Sequence, residues 1–139
     1  MKLQLAALFA FALTLACNND RDCEPIVDLA DELCLPPTTR ANQTLTFEAR
    51  HGCGGCEVGF DSCSVTLSGD TLTVSLGGQL CPLPNDVACA AVCAITDLSC
   101  PVPALPAGTY RVVGIRDAQP RTLTVTASAT TTRCDLGAP

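Results

Sequence analysis

The segment 51–56 contains the residue types most capable of chemistry in this chain. It reads His51-Gly52-Cys53-Gly54-Gly55-Cys56, a Cys-x-x-Cys pair just after a histidine. Thiolates and imidazole suit tetrahedral zinc, so His51, Cys53 and Cys56 are candidate metal ligands. Because His51 is the only histidine and no second Cys-x-x-Cys follows, no complete zinc motif is formed. We expect Cys53 and Cys56 to form two disulfides that both start from one tight, glycine-rich loop. We predict no metal and no cofactor.

A thiol oxidoreductase would need a lowered thiol pKa at Cys53, which a helix N-terminus normally supplies. The residues after Cys56 run Glu57-Val58-Gly59-Phe60-Asp61, with two acids and a glycine, and do not begin a convincing helix. Haem attachment would require histidine at the position of Glu57. Neither redox use of the segment is therefore expected.

A hydrolase would need a nucleophile and a base. His51 is the only histidine to serve as base, and no Gly-x-Ser-x-Gly sequence provides a nucleophile elbow. Acid pairs such as Asp31–Glu32 or Glu57–Asp61 could serve glycoside chemistry, although adjacent acids on a solvated face are far more common. The sequence therefore predicts a protein that is not an enzyme.

The cysteine count favours an oxidising compartment. Of eleven cysteines, Cys17 follows an apolar leader, which leaves ten that can pair without remainder. We hypothesise that Cys53 and Cys56 pair with Cys89 and Cys93, because two compact segments would then form a double staple. The ten predicted disulfide cysteines are Cys23, Cys34, Cys53, Cys56, Cys63, Cys81, Cys89, Cys93, Cys100 and Cys134.

Residues 1–16 have the pattern of a signal peptide. One lysine precedes an apolar stretch of thirteen residues, which rises only about 20 Å as a helix and so cannot span a bilayer core of about 30 Å. The sequence Leu13-Thr14-Leu15-Ala16-Cys17 resembles the lipobox of bacterial lipoproteins, which implies that Cys17 is acylated and becomes the new N-terminus. The alternative is ordinary secretory cleavage, after Ala12 or Ala16. By the same resemblance, Asn18 implies export to the outer membrane or cell surface.

The predicted organisation is a signal peptide at 1–16, a lipid-anchored tether at 17–22 and one disulfide-stapled β domain at 23–139. After the leader, seven arginines face fourteen carboxylates, a net charge of about −7. This charge disfavours nucleic acid as a partner and removes polybasic attraction to anionic lipid. The chain has no tryptophan, one tyrosine and four phenylalanines, so its core must use aliphatic side chains and disulfides.

The coarse secondary structure is mostly β. Residues 24–34 have apolar residues at helical spacing and predict a short helix, too long for Cys23 and Cys34 at its ends to pair with each other. Residues 44–50 alternate between polar and apolar, as in a half-buried strand. A hairpin around Gly69-Asp70 would set Leu67 against Leu72, Val65 against Val74 and Cys63 against Leu76, before Gly77-Gly78 breaks the strand.

The second half of the chain contains a proline-rich loop between predicted elements. Residues 85–95 predict a small helix that carries Cys89 and Cys93 on one face. The loop from Pro101 to Pro106 leads to two final strands, at 109–113 and 122–126, joined by a turn at 116–120.

This ending, Leu105-Pro-Ala-Gly-Thr-Tyr110-Arg-Val112 with Leu123-Thr-Val125, resembles the last strands of immunoglobulin-like and fibronectin-III-like sandwiches. The resemblance implies that Tyr110 points inward, as in a tyrosine corner. As a whole the chain is similar to small cysteine-rich bacterial lipoproteins of unassigned activity. The predicted fold is a disulfide-rich antiparallel β-sandwich with one or two short helices.

The predicted function is a cell-envelope lipoprotein at the outer membrane or surface, a non-enzymatic structural or binding module. Its partners would be the membrane, through the lipid anchor, and a protein or glycan ligand. The alternative location is periplasmic or secreted. One alternative function is a secreted protease inhibitor or effector, because residues 100–108 could present a rigid loop to a protease cleft. Another alternative is a small metal- or thiol-dependent enzyme built on His51, Cys53 and Cys56.

Overall fold

A computed structural model describes residues 22–83, 88, 94–116, 119–129 and 136. These residues form nine β-strands and no helix, so the prediction of a mainly β fold is confirmed. No helical segment capable of crossing a bilayer occurs in this described part of the chain. In chain order the strands are β1 (Glu24–Asp28), β2 (Glu32–Cys34), β3 (Thr38–Arg40), β4 (Leu45–Gly54), β5 (Val58–Ser68), β6 (Thr71–Leu80), β7 (Ala94–Val102), β8 (Gly108–Val113) and β9 (Arg121–Thr126).

The strands form two sheets. The larger has the order β1-β6-β8-β9-β3, with β5 also paired to β6, and the smaller has the order β2-β4-β7. The pairs β6–β8 and β3–β9 are parallel, so the expectation of purely antiparallel pairing is wrong. Parallel neighbours need a long connection, which the chain between β6 and β8 and between β3 and β9 supplies. Both sheets are curled.

Strand β6 lies at the centre of the larger sheet, with both edges occupied. Along one edge it pairs over its whole length with β5. Along the other edge it pairs with β8 through Thr71–Thr73 and with β1 through Leu76–Leu80. The inward side chains of β6, Leu72, Val74 and Leu76, are all fully buried.

The predicted strand break at Gly77-Gly78 is wrong, because β6 continues through both glycines to Leu80. Opposite them β5 has a bulge between Phe60 and Ser62, which brings its backbone close. A Cβ atom at Gly78 would overlap the carbonyl oxygen of Gly59. The glycines therefore allow close approach to the bulge instead of ending the strand.

The predicted helix at 24–34 is wrong, because this segment contains β1 and β2. Its buried or half-buried positions at Ile26, Asp28 and Ala30 follow the period of two that is typical of a strand. Pairing of β1 with β6 and of β2 with β4 outweighs the helical spacing of the apolar residues. In each pair, hydrogen bonds to the neighbouring strand satisfy the backbone N–H and C=O groups of alternate residues.

Three predicted strands and the predicted hairpin are confirmed, whereas the loop predicted from Pro101 begins only after Val102, because β7 extends to that residue. The strand predicted at 44–50 is β4, and the final strands at 109–113 and 122–126 are β8 and β9. The hairpin has the predicted register, with Leu67 opposite Leu72, Val65 opposite Val74 and Cys63 opposite Leu76. Only its β6 half is deeply buried, because the β5 side chains at 63–67 are partly exposed.

Both sheets contribute inward side chains to the core. It is mainly aliphatic, with Phe47 and Tyr110 as large aromatic members, as the composition predicts. The prediction that Tyr110 points inward is confirmed, because its side chain is buried and its hydroxyl donates to the carbonyl oxygen of Pro106 at 2.9 Å. The remaining buried core residues are Ala30, Leu33, Leu45, Ala49, Phe60, Leu72, Val74, Leu76, Cys100, Val102, Leu105, Val112, Ile115, Leu123 and Val125.

Two disulfides join separate strands. Cys23 bonds to Cys81, which fixes the beginning of β1 to the end of β6. Cys63 on β5 bonds to Cys100 on β7, which links the larger sheet to the smaller one. Cys34 is also disulfide-bonded, so each flank of the segment 24–34 is covalently held.

Several predicted features lie outside the described residues. These are the signal peptide at 1–16 with the acylation site Cys17, most of the tether at 17–22, and most of the small helix at 85–95, whose last two residues belong to β7. The cysteines Cys89, Cys93 and Cys134 are outside as well, so the pairing of Cys53 and Cys56 with Cys89 and Cys93 stays a prediction.

We predict that Gly78→Ala destabilises the protein by about 1–3 kcal/mol, because a rigid backbone carbonyl occupies the space of the new methyl group. The matched control is Gly59→Ala on the opposite strand, where a Cβ would meet no atom within 4 Å. That control should change the free energy of unfolding by less than about 0.5 kcal/mol. Urea unfolding with intact disulfides measures both, and equal losses for the two variants would contradict the bulge contact.

Candidate functional site

His51, the first candidate ligand from the sequence, is a buried side chain of β4. It follows Phe47 and Ala49 on the inward face of the strand and is only 7% exposed. Its ring packs on Phe60 of β5, with centroids 4.2 Å apart. The histidine therefore lies at the border between the aliphatic core and a group of charged side chains.

Both ring nitrogens of His51 have partners within the chain. Nδ1 lies 2.7 Å from the carbonyl oxygen of Gly52, to which it donates when it carries the proton. Nε2 lies 3.4 Å from a terminal nitrogen of Arg116 and 3.5 Å from Oδ2 of Asp28. The imidazole is therefore buried and has a polar partner at each ring nitrogen.

Arg116 joins two carboxylates beside this histidine. Its guanidinium lies 2.6 Å from Oδ2 of Asp28 and 3.3 Å from Oδ1 of Asp31. The other oxygen of Asp31 accepts the N–H of Gly52 at 2.5 Å. We call Asp28, Asp31, His51 and Arg116 the histidine cluster. It connects the end of β1, the turn before β2, the inward face of β4 and the residue beyond β8.

The backbone reinforces the histidine cluster. The N–H of Ala30 donates to the carbonyl oxygen of Gly114 at 3.1 Å, and the N–H of Arg116 donates to the carbonyl oxygen of Ala30 at 2.7 Å. The N–H of Leu29 donates to Oδ1 of Asp28 at 2.7 Å. That backbone hydrogen bond, followed by the nearby Arg116, lowers the pKa of Asp28 below its ordinary value, against the opposing effect of burial.

A second group of charges crosses the smaller sheet on the other face of β4. Arg50 makes two hydrogen bonds to Asp97 on β7, at 2.7 and 3.0 Å, and lies 3.5 Å from Glu32 on β2. Glu32 and Asp97 are each the direct cross-strand neighbour of Arg50, on opposite edges of β4. The hydrogen bond between the pair raises the pKa of Arg50 and lowers that of Asp97. Asp31 and Glu32 are therefore engaged with separate arginines instead of acting as a pair.

Cys53 and Cys56, the other two candidate ligands, are both disulfide-bonded. A disulfide sulfur is not a thiolate, so neither residue supplies the anionic ligand that zinc binding or nucleophilic thiol chemistry requires. Within the described ranges, no three His, Cys, Asp or Glu side chains are grouped so that they could hold a metal ion.

Glu57 and Asp61, the acid pair noted in the sequence, line the same open cleft, of about 350 Å³. The cleft lies where β5 begins and β6 ends, with Gln79 and the disulfide-bonded Cys56 and Cys81 among its other lining residues. The N–H of Cys81 donates to the carbonyl oxygen of Glu57 at 2.6 Å and helps to fix this end of the sheet.

A third surface is the proline-rich loop between β7 and β8. The side chains of Val102 and Leu105 are buried, while all the other residues at 103–107 are exposed. The carbonyl oxygen of Leu105 accepts the N–H of Asn42 at 2.8 Å. Asn42 has a φ of 58°, a left-handed conformation that asparagine tolerates better than most residues. We call residues 103–107 the proline ridge.

The sequence identified His51 but missed its main partners. Asp28 and Arg116 are separated by 88 residues, and Arg50 and Asp97 by 47 residues. No spacing rule connects such distant charges, because strand order brings them together. Only the proline content of the loop gave an advance signal for the ridge.

The comparisons with known proteins found no counterpart. No protein-family model, no curated protein and no solved structure matches this chain significantly.

We predict that the stability of the protein falls as the pH drops below about 4. Asp28 and Asp97 hold pKa values below the ordinary 3.8 when folded, so the unfolded chain takes up protons first on acidification. Their contribution is complete at neutral pH and is lost as the pH falls through the folded pKa values. The free energy of unfolding from urea titrations between about pH 7 and pH 2 tests this.

The variant Asp97→Asn tests how much of the pH dependence of stability comes from Asp97. At pH 7 it should lower the free energy of unfolding by up to about 1 kcal/mol, since the Asp97 side chain is half exposed and its ion pair is partly screened. The difference from the unmodified protein should narrow between about pH 4 and pH 2. Asp61→Asn is the control, because Asp61 makes no ion pair with the described residues; a loss for Asp97→Asn that persists at pH 2 would refute the assignment.

Proposed function

We propose that the protein is a cell-envelope lipoprotein, held at the outer membrane or surface by acylated Cys17, that acts as a non-enzymatic structural or binding module. The observation that carries this proposal is the state of the cysteines. All seven cysteines in the described residues are disulfide-bonded. Disulfides persist in oxidising compartments outside the cytoplasm, which supports export.

The position of the Cys23–Cys81 disulfide supports a short tether. Only residues 18–22 separate Cys17 from Cys23, a reach of about 17 Å when fully extended. Because the disulfide fixes Cys23 to the end of β6, that end of the larger sheet would lie next to the membrane. An acyl anchor of this kind holds the domain at the surface without spanning the bilayer.

The contacts of His51 support a non-enzymatic role. The only histidine of the chain is buried, packed on Phe60 and engaged by Gly52, Asp28 and Arg116. The cysteines beside it are oxidised. The alternative enzyme built on His51, Cys53 and Cys56 would have to release these groups before they could react with a substrate.

The proposal also includes the way in which the two sheets stack. We infer that the two curled sheets stack as a sandwich similar to the immunoglobulin-like and fibronectin-III-like folds, within one domain at 23–139. The Cys63–Cys100 disulfide between the sheets supports this, as does the hydrogen bond from Tyr110 back to Pro106.

The second candidate function is a secreted protease inhibitor. One observation favours it: the loop at 100–108 is exposed at 103–104 and held at both ends by buried side chains and the disulfide of Cys100. The binding loops of protease inhibitors are preorganised in this way, which lowers the entropic cost of association. This candidate requires a diffusible protein, so the presence or absence of the anchor separates it from the first.

We predict that the mature protein, extracted with detergent, has an intact mass that exceeds residues 17–139 by its acyl groups. Cys17→Ser should remove that added mass and transfer the protein from the detergent phase to the aqueous phase, since no acyl anchor can form. The paired change Cys23→Ser and Cys81→Ser is the control, because it removes one disulfide and leaves the acylation site intact. An unacylated wild-type mass, or several thiols that react under native conditions, would refute the proposal.

A further inference from the structure

We propose that the proline ridge, residues 103–107, is a docking surface for a protein partner that receives it in a groove lined by aromatic side chains. The inference deepens the proposed binding role and rests on it, but it does not depend on the lipid anchor. Its support comes from the rigidity, the surface chemistry and the position of the ridge.

The backbone of the ridge is restricted by its own sequence. Pro101, Pro103 and Pro106 each fix φ near −65°, and the residue before each proline is held in an extended or polyproline conformation. Over 100–106 only Ala104 escapes both constraints. Binding therefore orders little additional backbone, which lowers the entropic cost of association.

The burial pattern shows how the ridge faces solvent. In β7 the inward side chains Cys100 and Val102 are two residues apart, but the next buried side chain, Leu105, comes three residues later. A spacing of three is that of a polyproline helix, which has three residues per turn. With Val102 and Leu105 facing the core, Pro103 and Pro106 share one exposed line.

Tertiary contacts fix this arrangement. The carbonyl oxygen of Leu105 accepts from Asn42 at 2.8 Å, and that of Pro106 accepts from Tyr110 at 2.9 Å. The Cys63–Cys100 disulfide anchors the strand that leads into the ridge. The ridge is therefore a preformed surface on a rigid support.

The chemistry of the ridge selects the partner. Residues 101–108 are Pro-Val-Pro-Ala-Leu-Pro-Ala-Gly, without a charged or hydrogen-bonding side chain. Such a segment offers nothing to ionic partners. Exposed prolines spaced as Pro103 and Pro106 are recognised by packing between aromatic side chains in grooves that accept the polyproline conformation.

A second copy of this chain cannot supply that groove. The chain has no tryptophan, and its five aromatic residues are Phe9, Phe11, Phe47, Phe60 and Tyr110. The first two belong to the predicted signal peptide, and the last three are buried. The groove must therefore belong to a different protein.

The ridge lies at the opposite end of the larger sheet from the Cys23–Cys81 disulfide. Strand β8 runs parallel to β6, with Arg111 opposite Thr71, so Gly108 and the ridge before it extend beyond the beginning of β6. Cys81 follows the other end of β6, about 30 Å away at 3.3 Å per residue. A tether at Cys23 would leave the ridge far from the anchor and open to a partner.

The same geometry disfavours a protease as the partner. A protease cleft binds an extended run of side chains on both sides of the scissile bond, but here the exposed residues at 103–104 and 106–107 are separated by a buried one. Leu105, which would follow the cleaved bond, is only 2% exposed and faces the core.

The test is a titration of the purified mature protein with N-acetyltryptophanamide, followed by carbon–proton NMR. We expect saturable shifts at the methyl groups of Ala104 and Ala107 and at the ring protons of Pro103 and Pro106. The double variant Pro103→Ala and Pro106→Ala should weaken the apparent affinity at least about fivefold, since it removes the exposed rings and frees the backbone. Pro25→Ala, at an exposed proline of β1, is the matched control and should leave the affinity unchanged.

An internal control is Val27, an aliphatic side chain that is 77% exposed outside the ridge. Equal or non-saturable shifts at Val27 and at the ridge would overturn the proposal, as would an affinity unchanged by the double variant. Stoichiometric inhibition of an elastase-type serine protease, or cleavage after Ala104, would assign the loop to the inhibitor role instead. Because this titration needs no acyl chain, its failure is distinct from a failure of the mass measurement that tests the anchor.

Discussion

Strand β6 is the element on which the rest of the described structure depends, because one of its edges is shared by two strands. β8 occupies the half that begins at Thr71, and β1 occupies the half that ends at Leu80, running in the opposite direction. Between them the chain at Gly114 turns with a φ of 102°, and a side chain there would overlap the carbonyl oxygen of Val74. Glycine at this position lets the two partners of β6 meet end to end.

The charged side chains of the histidine cluster lie at this same junction between β1 and β8. Asp28 ends β1, Asp31 precedes β2 and Arg116 follows β8, so the ion pairs join segments that share no ladder of strand pairing. The backbone bonds between Ala30 and the chain at 114–116 lie directly beneath them. His51, a candidate ligand from the sequence, thus lies where three chain segments meet beside β4.

The sequence revealed the parts of the fold in which local pattern and pairing agree. The hairpin register around Gly69 and the strands at the C-terminus follow from alternation and turn residues alone. The segment 24–34 does not, because its apolar spacing fits a helix while its hydrogen-bond partners lie on β6 and β4, far along the chain. The sequence predicted a strand end at Gly77 and Gly78. It does not show why glycine is needed there, because the bulge that approaches these residues closely belongs to β5.

The site was only partly predictable for the same reason. Cysteine chemistry followed from counting, and the disulfide-bonded state of Cys53 and Cys56 agrees with it. The environment of His51 did not follow, because Arg116 lies 65 residues away and reaches the ring through the parallel placement of β8. Parallel pairing of distant strands cannot be predicted from a short sequence window. The proline ridge could be predicted, because it consists of consecutive residues.

For the export that we propose, the remote pairing of β1 imposes an order on the folding of the chain. A polypeptide exported from its N-terminus delivers Glu24–Asp28 well before Leu76–Leu80 emerge, and Cys23 waits for a thiol 58 positions later. Contacts so distant along the chain form slowly. During that interval the nascent strand has an open edge, which its proline and two acids protect from pairing with the wrong neighbour. The part of the domain nearest the proposed tether is consequently the first to arrive and among the last to be completed.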